Sequence, residues 1–222
     1  MNAPGRTRAD RPSSRRPAPP RPWWQSPSAW VLSLVVVGGV IAIAVAARGT
    51  EASDDRSESA PVEVIGDALA PYAVPDAAIG AQLPTISAES LDGEAVTIGA
   101  DGIGRVIGLF AHWCPHCQAE LPQVTDWLEG ETVPDGVEVV AISTGVDPSG
   151  ANYPPSEWFD RVGWPADVLM DSSTSAIASS LGLPGYPFWV VVDRDGTVVA
   201  RASGALTRPG FATLLQLAAA GS

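Results

Sequence analysis

The sequence predicts an α/β fold in which a central mixed sheet carries helices on both faces, preceded by one N-terminal transmembrane helix. Two continuous apolar runs, residues 105–111 and 137–142, have the pattern of strands that are buried on both faces of a sheet. Segments with helical spacing alternate with such runs, and an antiparallel hairpin follows them near the C-terminus. This order of elements predicts one sheet with parallel strands first and antiparallel strands last.

The N-terminal 75 residues divide into three segments by composition. Residues 1–28 are rich in Arg, Pro and Ser, which predicts a disordered cytoplasmic tail. Residues 29–47 are apolar or small apart from one serine, and as a helix they would span about 28 Å, roughly one hydrocarbon core. Residues 48–75 are acidic, Ala-rich and interrupted by proline, which predicts a flexible linker before a folded domain over 76–222.

The distribution of charge gives the orientation of the predicted span and excludes one class of partner. Residues 1–28 contain six Arg and one Asp, whereas residues 48–222 contain seven Arg and 24 acidic residues. Positive charge before the span places the N-terminus in the cytoplasm and the domain outside, as a single-pass protein of the cell membrane. An acidic domain without lysine cannot neutralise phosphates, so nucleic acid is excluded as a partner.

A cleaved signal peptide is the alternative to a membrane anchor. Residues 44–46, Ala-Val-Ala, fit the small-residue pattern of a cleavage site. The apolar run is nevertheless longer than the usual signal-peptide core of about 7 to 15 residues, and 28 residues precede it. These two features favour the anchor.

Local patterns predict the remaining elements of the domain. A hairpin is predicted where residues 91–93, Leu-Asp-Gly, join the apolar runs 85–86 and 95–98. Helices are predicted over 114–128, 156–162, 174–181 and 208–219, a short strand over 168–170, and a terminal hairpin of 189–192 with 197–200 around an Asp-Gly turn. Four tryptophans are expected in the core: Trp127, Trp158, Trp164 and Trp189.

The chain has two cysteines, Cys114 and Cys117, at the junction of a predicted buried strand and a predicted helix. The unpaired N–H groups of a first helical turn and the helix dipole stabilise a thiolate at such a place. Pro115 and His116 lie between the cysteines, and a cation near a helix N-terminus lowers a thiol pKa from about 8.5 to between about 3.5 and 7.5. Cys114 is therefore the predicted nucleophile, and Cys117, on the same helix face, is the predicted resolving thiol.

A zinc site is the competing interpretation of the same residues. The two cysteines with His112 and His116 supply four potential ligands. All four lie within six positions, however, and one strand-to-helix turn cannot arrange them tetrahedrally around a single ion. We therefore expect no metal, and no other cofactor, at the cysteine pair.

From about Ile79 onward, the chain resembles the TlpA/ResA-like, membrane-anchored branch of the thioredoxin-like family. Residues 110–117, Phe-Ala-His-Trp-Cys-Pro-His-Cys, resemble the aromatic-Ala-x-Trp-Cys-x-x-Cys segment of that family, and residues 120–122 resemble its Glu-x-Pro. The resemblance implies a thioredoxin-like fold and a thiol-disulfide oxidoreductase. Its partners would be protein thiols or disulfides outside the cytoplasm and a redox partner in the membrane.

The resemblance also implies roles for residues outside the cysteine pair. Pro187 corresponds to a cis-proline opposite the cysteines, and Tyr186 would bind an extended substrate segment through its backbone. Glu120 would move protons for Cys117; the alternative is an exposed glutamate stabilised by the helix dipole. Trp113 would serve as a packing and substrate platform.

Two features complicate this assignment. Members of the thioredoxin branch carry a buried polar or acidic residue six positions before the nucleophile, where this chain has Gly108, so Glu120 is the expected base. The Pro115-His116 dipeptide resembles that of the strong oxidant DsbA, whereas the anchored architecture resembles reductases that serve cytochrome c maturation. Because a stable Cys114 thiolate favours the reduced protein, we expect a mildly oxidising couple.

Two rival functions are weighed against thiol-disulfide exchange. A peroxidase of this fold would carry a Pro-Thr-x-x-Cys segment, which the chain lacks. A copper chaperone of this fold would need a third ligand, a histidine far along the chain, but both histidines lie beside the cysteines. Disulfide exchange is therefore the predicted function.

Overall fold

The computed structural model describes residues 61–130 and 132–220. The predicted tail, the predicted transmembrane span and the first part of the predicted linker lie outside these ranges. Among the residues described, no helix is long and apolar enough to cross a bilayer.

Within these ranges the domain contains eight strands and four helices. The strands are β1 (Glu63–Ile65), β2 (Thr85–Glu89), β3 (Ala95–Ile98), β4 (Gly104–Phe110), β5 (Val137–Ser143), β6 (Val168–Met170), β7 (Phe188–Val192) and β8 (Val198–Ser203). The helices are α1 (Pro115–Gly130), α2 (Pro155–Val162), α3 (Ala176–Ser180) and α4 (Arg208–Ala219).

The central sheet has five strands in the order β6-β5-β4-β7-β8. β4 pairs in parallel with β5, and β5 with β6, whereas β7 is antiparallel to both β4 and β8. The predicted mixed sheet is therefore confirmed, including its terminal hairpin. Every residue of β4 is buried, as the continuous apolar run predicts for a central strand.

Two apolar clusters cover the two faces of the central sheet. One cluster joins Val106 and Phe110 of β4 to side chains of α1, α2 and α4. The other joins Ile107 and Leu109 to α3 and to the inward side of a second sheet, which has the strand order β1-β2-β3. Helices thus lie on both faces as predicted, and the antiparallel β2–β3 hairpin is confirmed.

Residues 61–75, predicted as part of a flexible linker, are instead folded onto the domain. β1 pairs antiparallel with β2, and Leu69 is buried, with its N–H donated to the carbonyl of Ser180 at 2.8 Å. The ring of Tyr72 meets that of Phe188 edge to face, with 5.4 Å between the ring centroids. The prediction was wrong because a three-residue strand shows no measurable periodicity, and its partners lie far along the chain.

A buried ion pair holds this N-terminal segment in place. The Arg201 side chain, on β8, is 0% exposed and pairs with Asp76, whose side chain is 11% exposed. The same guanidinium donates to the carbonyls of Ala70 and Leu181, each at 2.9 Å. Hydrogen bonding to Arg201 keeps the pKa of Asp76 below its usual value, so the carboxylate stays charged at neutral pH.

Replacing Arg201 with Met should destabilise the domain strongly. Removal of one partner leaves the Asp76 carboxylate and two backbone carbonyls without their donor, which costs about 3 to 5 kcal/mol for a buried pair. The matched control is Arg161→Met, because Arg161 pairs with Glu157 at the surface, where the two side chains are 53% and 68% exposed. That change should cost less than about 1 kcal/mol.

Urea unfolding at neutral pH measures both free energies of unfolding. Equal, small losses in the two variants would show that the Arg201–Asp76 pair does not hold the N-terminal segment.

Candidate active site

The two cysteines lie where β4 ends and α1 begins. β4 ends at Phe110, the N–H of Cys114 donates to the carbonyl of Ala111 at 3.0 Å, and α1 starts at Pro115. Proline suits the first helical position because that position has no intrahelical partner for an N–H. Both cysteines are free thiols; Cys114 is 6% exposed and Cys117 is fully buried.

The two thiols differ in their surroundings. Burial raises the pKa of the Cys117 thiol well above its usual range, and the nearby Cys114 and Glu120 add to the increase. Cys117 is therefore a protonated thiol at neutral pH and needs a base before it can attack a disulfide. Cys114, at the helix N-terminus, is the thiol that solvent reaches.

The loop before β7 lies against Cys114. The Tyr186–Pro187 peptide bond is cis, as the resemblance implied for Pro187. The Cys114 thiol donates to the carbonyl oxygen of Tyr186, with 3.8 Å between sulfur and oxygen. These two residues are 72 positions apart, so the fold alone brings the cis-proline loop to the cysteine pair.

Glu120 is buried behind the cysteine pair rather than exposed, with 1% of its surface accessible. Its Oε1 accepts hydrogen bonds from the indole N–H of Trp189 at 3.3 Å and from the backbone N–H of Leu206 at 2.7 Å. Its Oε2 has no partner among the described residues. Burial raises the pKa of Glu120 to about 7, although both hydrogen bonds act in the opposite direction. The alternative of an exposed first-turn glutamate is therefore wrong.

Gly108 occupies a place where a larger side chain does not fit. A Cβ atom at this position would lie 2.7 Å from Cε2 of Phe110 and 2.8 Å from Cζ3 of Trp189. These two rings meet edge to face, with 5.3 Å between their centroids, and fill the space that an acidic side chain on β4 would need. Since Trp189 also donates to Glu120, the buried acid of this site comes from α1.

Trp113 borders the cysteine pair on the outside. Its side chain is 38% exposed, its indole N–H donates to the carbonyl of Gly145 at 2.6 Å, and its ring meets that of Tyr186 edge to face at 5.8 Å. Pro115 and His116 are exposed at the start of α1. The structure thus brings Trp113 and the Tyr186–Pro187 loop together on the outer side of Cys114.

His112 is a residue of the site that the sequence analysis considered only as a zinc ligand. It is fully buried, its Nδ1 lies 2.6 Å from the carbonyl oxygen of Ala151, and its Nε2 accepts the N–H of Asp147 at 3.1 Å. Both ring nitrogens are therefore occupied by backbone groups of one loop. Its position directly before Trp113 and Cys114 was the available signal, but the distant loop could not be identified from the sequence.

Together, the fold and the site define a thioredoxin-like protein with two free thiols at a strand-to-helix junction and a cis-proline loop beside them. The Redoxin family model matches residues 78–215. The chain belongs to the Redoxin family, and it is a thiol-disulfide oxidoreductase of the TlpA/ResA-like branch.

Curated relatives support this placement. The chain is 27% identical over 140 residues to the thiol:disulfide interchange protein HelX of Rhodobacter capsulatus, and this match covers 62% of this chain and 74% of HelX. It is 41% identical over 73 residues to the thiol-disulfide oxidoreductase ResA of Oceanobacillus iheyensis, and this match covers 32% of this chain and 37% of ResA.

Solved structures show the same fold. A putative thiol:disulfide interchange protein DsbE from Chlorobium tepidum has a TM-score of 0.53 and 19% identity, and the match covers 63% of this chain and 96% of that one. StoA from Bacillus subtilis has a TM-score of 0.51 and 18% identity, with 63% and 98% covered. At these identities the likeness concerns the architecture.

Replacing Glu120 with Gln should change how stability depends on pH. The pKa of the buried carboxyl is about 7, above its ordinary value of 4.5, so the folded chain binds this proton more tightly than the unfolded chain. The resulting stabilisation is complete below about pH 4.5 and is lost as the pH rises to 7 and beyond, up to about 3 kcal/mol. The Glu120→Gln variant has no carboxyl group at this position, so its free energy of unfolding does not show this loss.

Urea unfolding of wild type and Glu120→Gln across this pH range measures the effect as a change in the difference between their free energies of unfolding. Glu157→Gln, at an exposed side chain, is the control and should give a difference that stays nearly constant. A constant difference for Glu120→Gln as well would contradict the raised pKa.

Proposed function

We propose that the chain exchanges disulfides with polypeptides outside the cytoplasm, with Cys114 as the nucleophile and Cys117 as the resolving thiol. One observation carries this proposal: the Cys114 sulfur lies at the start of α1, 3.8 Å from the carbonyl oxygen of Tyr186 in the cis-proline loop. A polypeptide that pairs with the backbone of this loop brings its own sulfur to Cys114.

The first step takes place at Cys114. Its thiolate, stabilised by the N-terminus of α1, attacks one sulfur of a substrate disulfide. A bond forms between Cys114 and that sulfur, the substrate disulfide breaks, and the other substrate sulfur leaves as a thiolate that takes a proton from water. The product is a mixed disulfide between protein and substrate.

The second step takes place at Cys117. Its proton passes to the Glu120 carboxylate, and its sulfur attacks Cys114, forming the Cys114–Cys117 disulfide and releasing the second substrate thiolate. The substrate gains two electrons, and the protein loses two. The reverse sequence oxidises a substrate dithiol.

Glu120 is suited to this proton transfer. Its pKa of about 7 lets the carboxylate and the carboxylic acid coexist near neutral pH, so that it can both accept and return a proton. The raised pKa of Cys117 makes such a base necessary, because burial opposes formation of its thiolate.

Trp113 and Tyr186 would form the contact surface for substrate. The backbone of Tyr186 would bind an extended segment by strand addition, and the exposed part of Trp113 would pack beside it. Pro115 and His116 would tune the stability of the Cys114 thiolate and, through it, the reduction potential.

The location and the partners are proposed from the N-terminal sequence and the family resemblance. Residues 29–47 would anchor the chain, with the N-terminus in the cytoplasm and the domain outside. Substrates would be extracytoplasmic protein thiols or disulfides, and a membrane redox partner would reset the cysteine pair. Work in cytochrome c maturation is the role that the resemblance implies.

Replacing Cys117 with Ser should trap substrates. Without the resolving thiol, the mixed disulfide at Cys114 persists, so disulfide-linked complexes should accumulate in cells that express Cys117→Ser. Non-reducing electrophoresis followed by mass spectrometry measures the complexes and identifies the trapped proteins. Cys114→Ser is the control and should trap none. Equal trapping by both variants would show that Cys114 is not the nucleophile.

The reduction potential of the pair should lie above the value of about −270 mV that is typical of thioredoxin. The physical reason is that stabilisation of the Cys114 thiolate favours the reduced protein, by about 30 mV for each 1.4 kcal/mol. Equilibration with glutathione buffers, read out by alkylation, measures the potential. The variant with Gly-Pro in place of Pro115-His116 should be more reducing; a wild-type value as low as that of thioredoxin would refute the mildly oxidising couple.

A further inference from the structure

The loop between β5 and α2 begins at the substrate-contact residues. We define the β5–α2 loop as residues 145–152. The carbonyl of its first residue, Gly145, accepts the indole N–H of Trp113 at 2.6 Å. A Cβ atom on Gly145 would lie 2.6 Å from the hydroxyl oxygen of Tyr186. This loop therefore contacts both residues that are proposed to receive substrate.

The buried ring of His112 holds the β5–α2 loop through hydrogen bonds to two of its residues, Asp147 and Ala151. A carbonyl oxygen only accepts and a backbone N–H only donates, so Nδ1 donates to the carbonyl of Ala151 and Nε2 accepts from the N–H of Asp147. The backbone carbonyl of His112 also accepts from the side-chain amides of Gln118 at 2.9 Å and Asn152 at 3.3 Å. One buried residue thus links the loop to the cysteine turn and to α1.

The β5–α2 loop packs closely on the active-site turn at Gly150. A Cβ atom there would lie 2.8 Å from Cβ of Trp113 and 3.2 Å from Cε1 of His112. The side chain of Asp147 accepts the N–H and the hydroxyl of Ser149, which orders the exposed tip of the loop. Residues 147–149 at the tip therefore face solvent, whereas Gly150 packs closely against the active-site turn.

We infer that His112 is a positioning residue that holds the β5–α2 loop as one side of the groove for a polypeptide substrate, next to Trp113 and Tyr186. The inference rests on the proposed function and names the part of the protein that contacts the chain flanking a substrate cysteine. A small disulfide reaches Cys114 without contacting this loop. Release of the loop therefore weakens binding of polypeptides and spares the chemistry of the thiols.

Two variants release the loop in independent ways. His112→Phe keeps an aromatic ring and removes both ring hydrogen bonds to the loop. Gly150→Ala keeps the His112 side chain and introduces a Cβ atom too close to Cβ of Trp113, so that the loop must move away from the active-site turn. The matched control is Thr213→Val on α4, which also removes a side-chain hydrogen bond, here to the carbonyl of Pro209, at an exposed position.

With dithiothreitol as the electron donor that restores the dithiol, the full chain in detergent is assayed for reduction of two substrates, a peptide with one intramolecular disulfide and hydroxyethyl disulfide; the rate with dithiothreitol alone is subtracted. Both variants should raise the KM for the peptide about tenfold with kcat nearly unchanged, the change expected when a displaced loop loses one to two hydrogen bonds to the peptide. The rates with hydroxyethyl disulfide, and the rate of Cys114 alkylation by iodoacetamide, should match wild type. Thr213→Val should leave all of these unchanged.

Other outcomes overturn the inference. An unchanged KM for the peptide in both variants would show that the loop does not contact substrate. Equal losses with both substrates, accompanied by an altered alkylation rate, would show that His112 acts on the Cys114 thiol instead. If His112→Phe fails to fold, Gly150→Ala decides between these results. Failure of wild type to exchange with either disulfide in either direction would refute the proposed function, a result distinct from failure of the variants alone.

Discussion

Antiparallel pairing of β4 with β7 places the cysteine pair and the cis-proline loop together. In this pairing Leu109 lies opposite Phe188 and Gly108 opposite Trp189. The residues that precede β7, Tyr186 and Pro187, are thereby held at the end of β4, where the chain turns towards Cys114. A slip by one residue would exchange the two faces of β7 and separate the Tyr186 carbonyl from the Cys114 sulfur.

The same register determines the surroundings of Glu120. Trp189 faces the cluster that contains α1, so its ring fills the space beside Gly108 and its N–H reaches Glu120. An acid on β4 would have no room, and the acid on α1 is instead held behind Cys117. Burial then shifts its pKa to about 7 and keeps Cys117 protonated, which are the two protonation states that the proposed proton transfer requires.

The opposite face of the sheet is completed by the N-terminal segment and the second sheet. Ile107 and Leu109 of β4 pack against residues from β2, β3 and the segment around Leu69. The Arg201–Asp76 pair ties this segment to β8. The strand that carries the cysteine turn is therefore packed on both faces. His112 and the β5–α2 loop form one side of the inferred substrate groove outside this strand.

Local sequence patterns were enough to predict the cysteine pair at a strand-to-helix junction and most of the elements, since α4 begins and ends at the predicted residues and β6 has the predicted bounds. These features depend on apolar periodicity and turn residues that lie within a few positions of one another. The folding of residues 61–75 depends instead on long-range contacts, because Arg201 lies 125 positions from Asp76. Long-range contacts also bury Glu120 beside Leu206, 86 positions away, and bond His112 to a loop beyond β5. The charge state and contacts of a side chain depend on neighbours that strand pairing brings from distant parts of the chain, and a local pattern does not contain them.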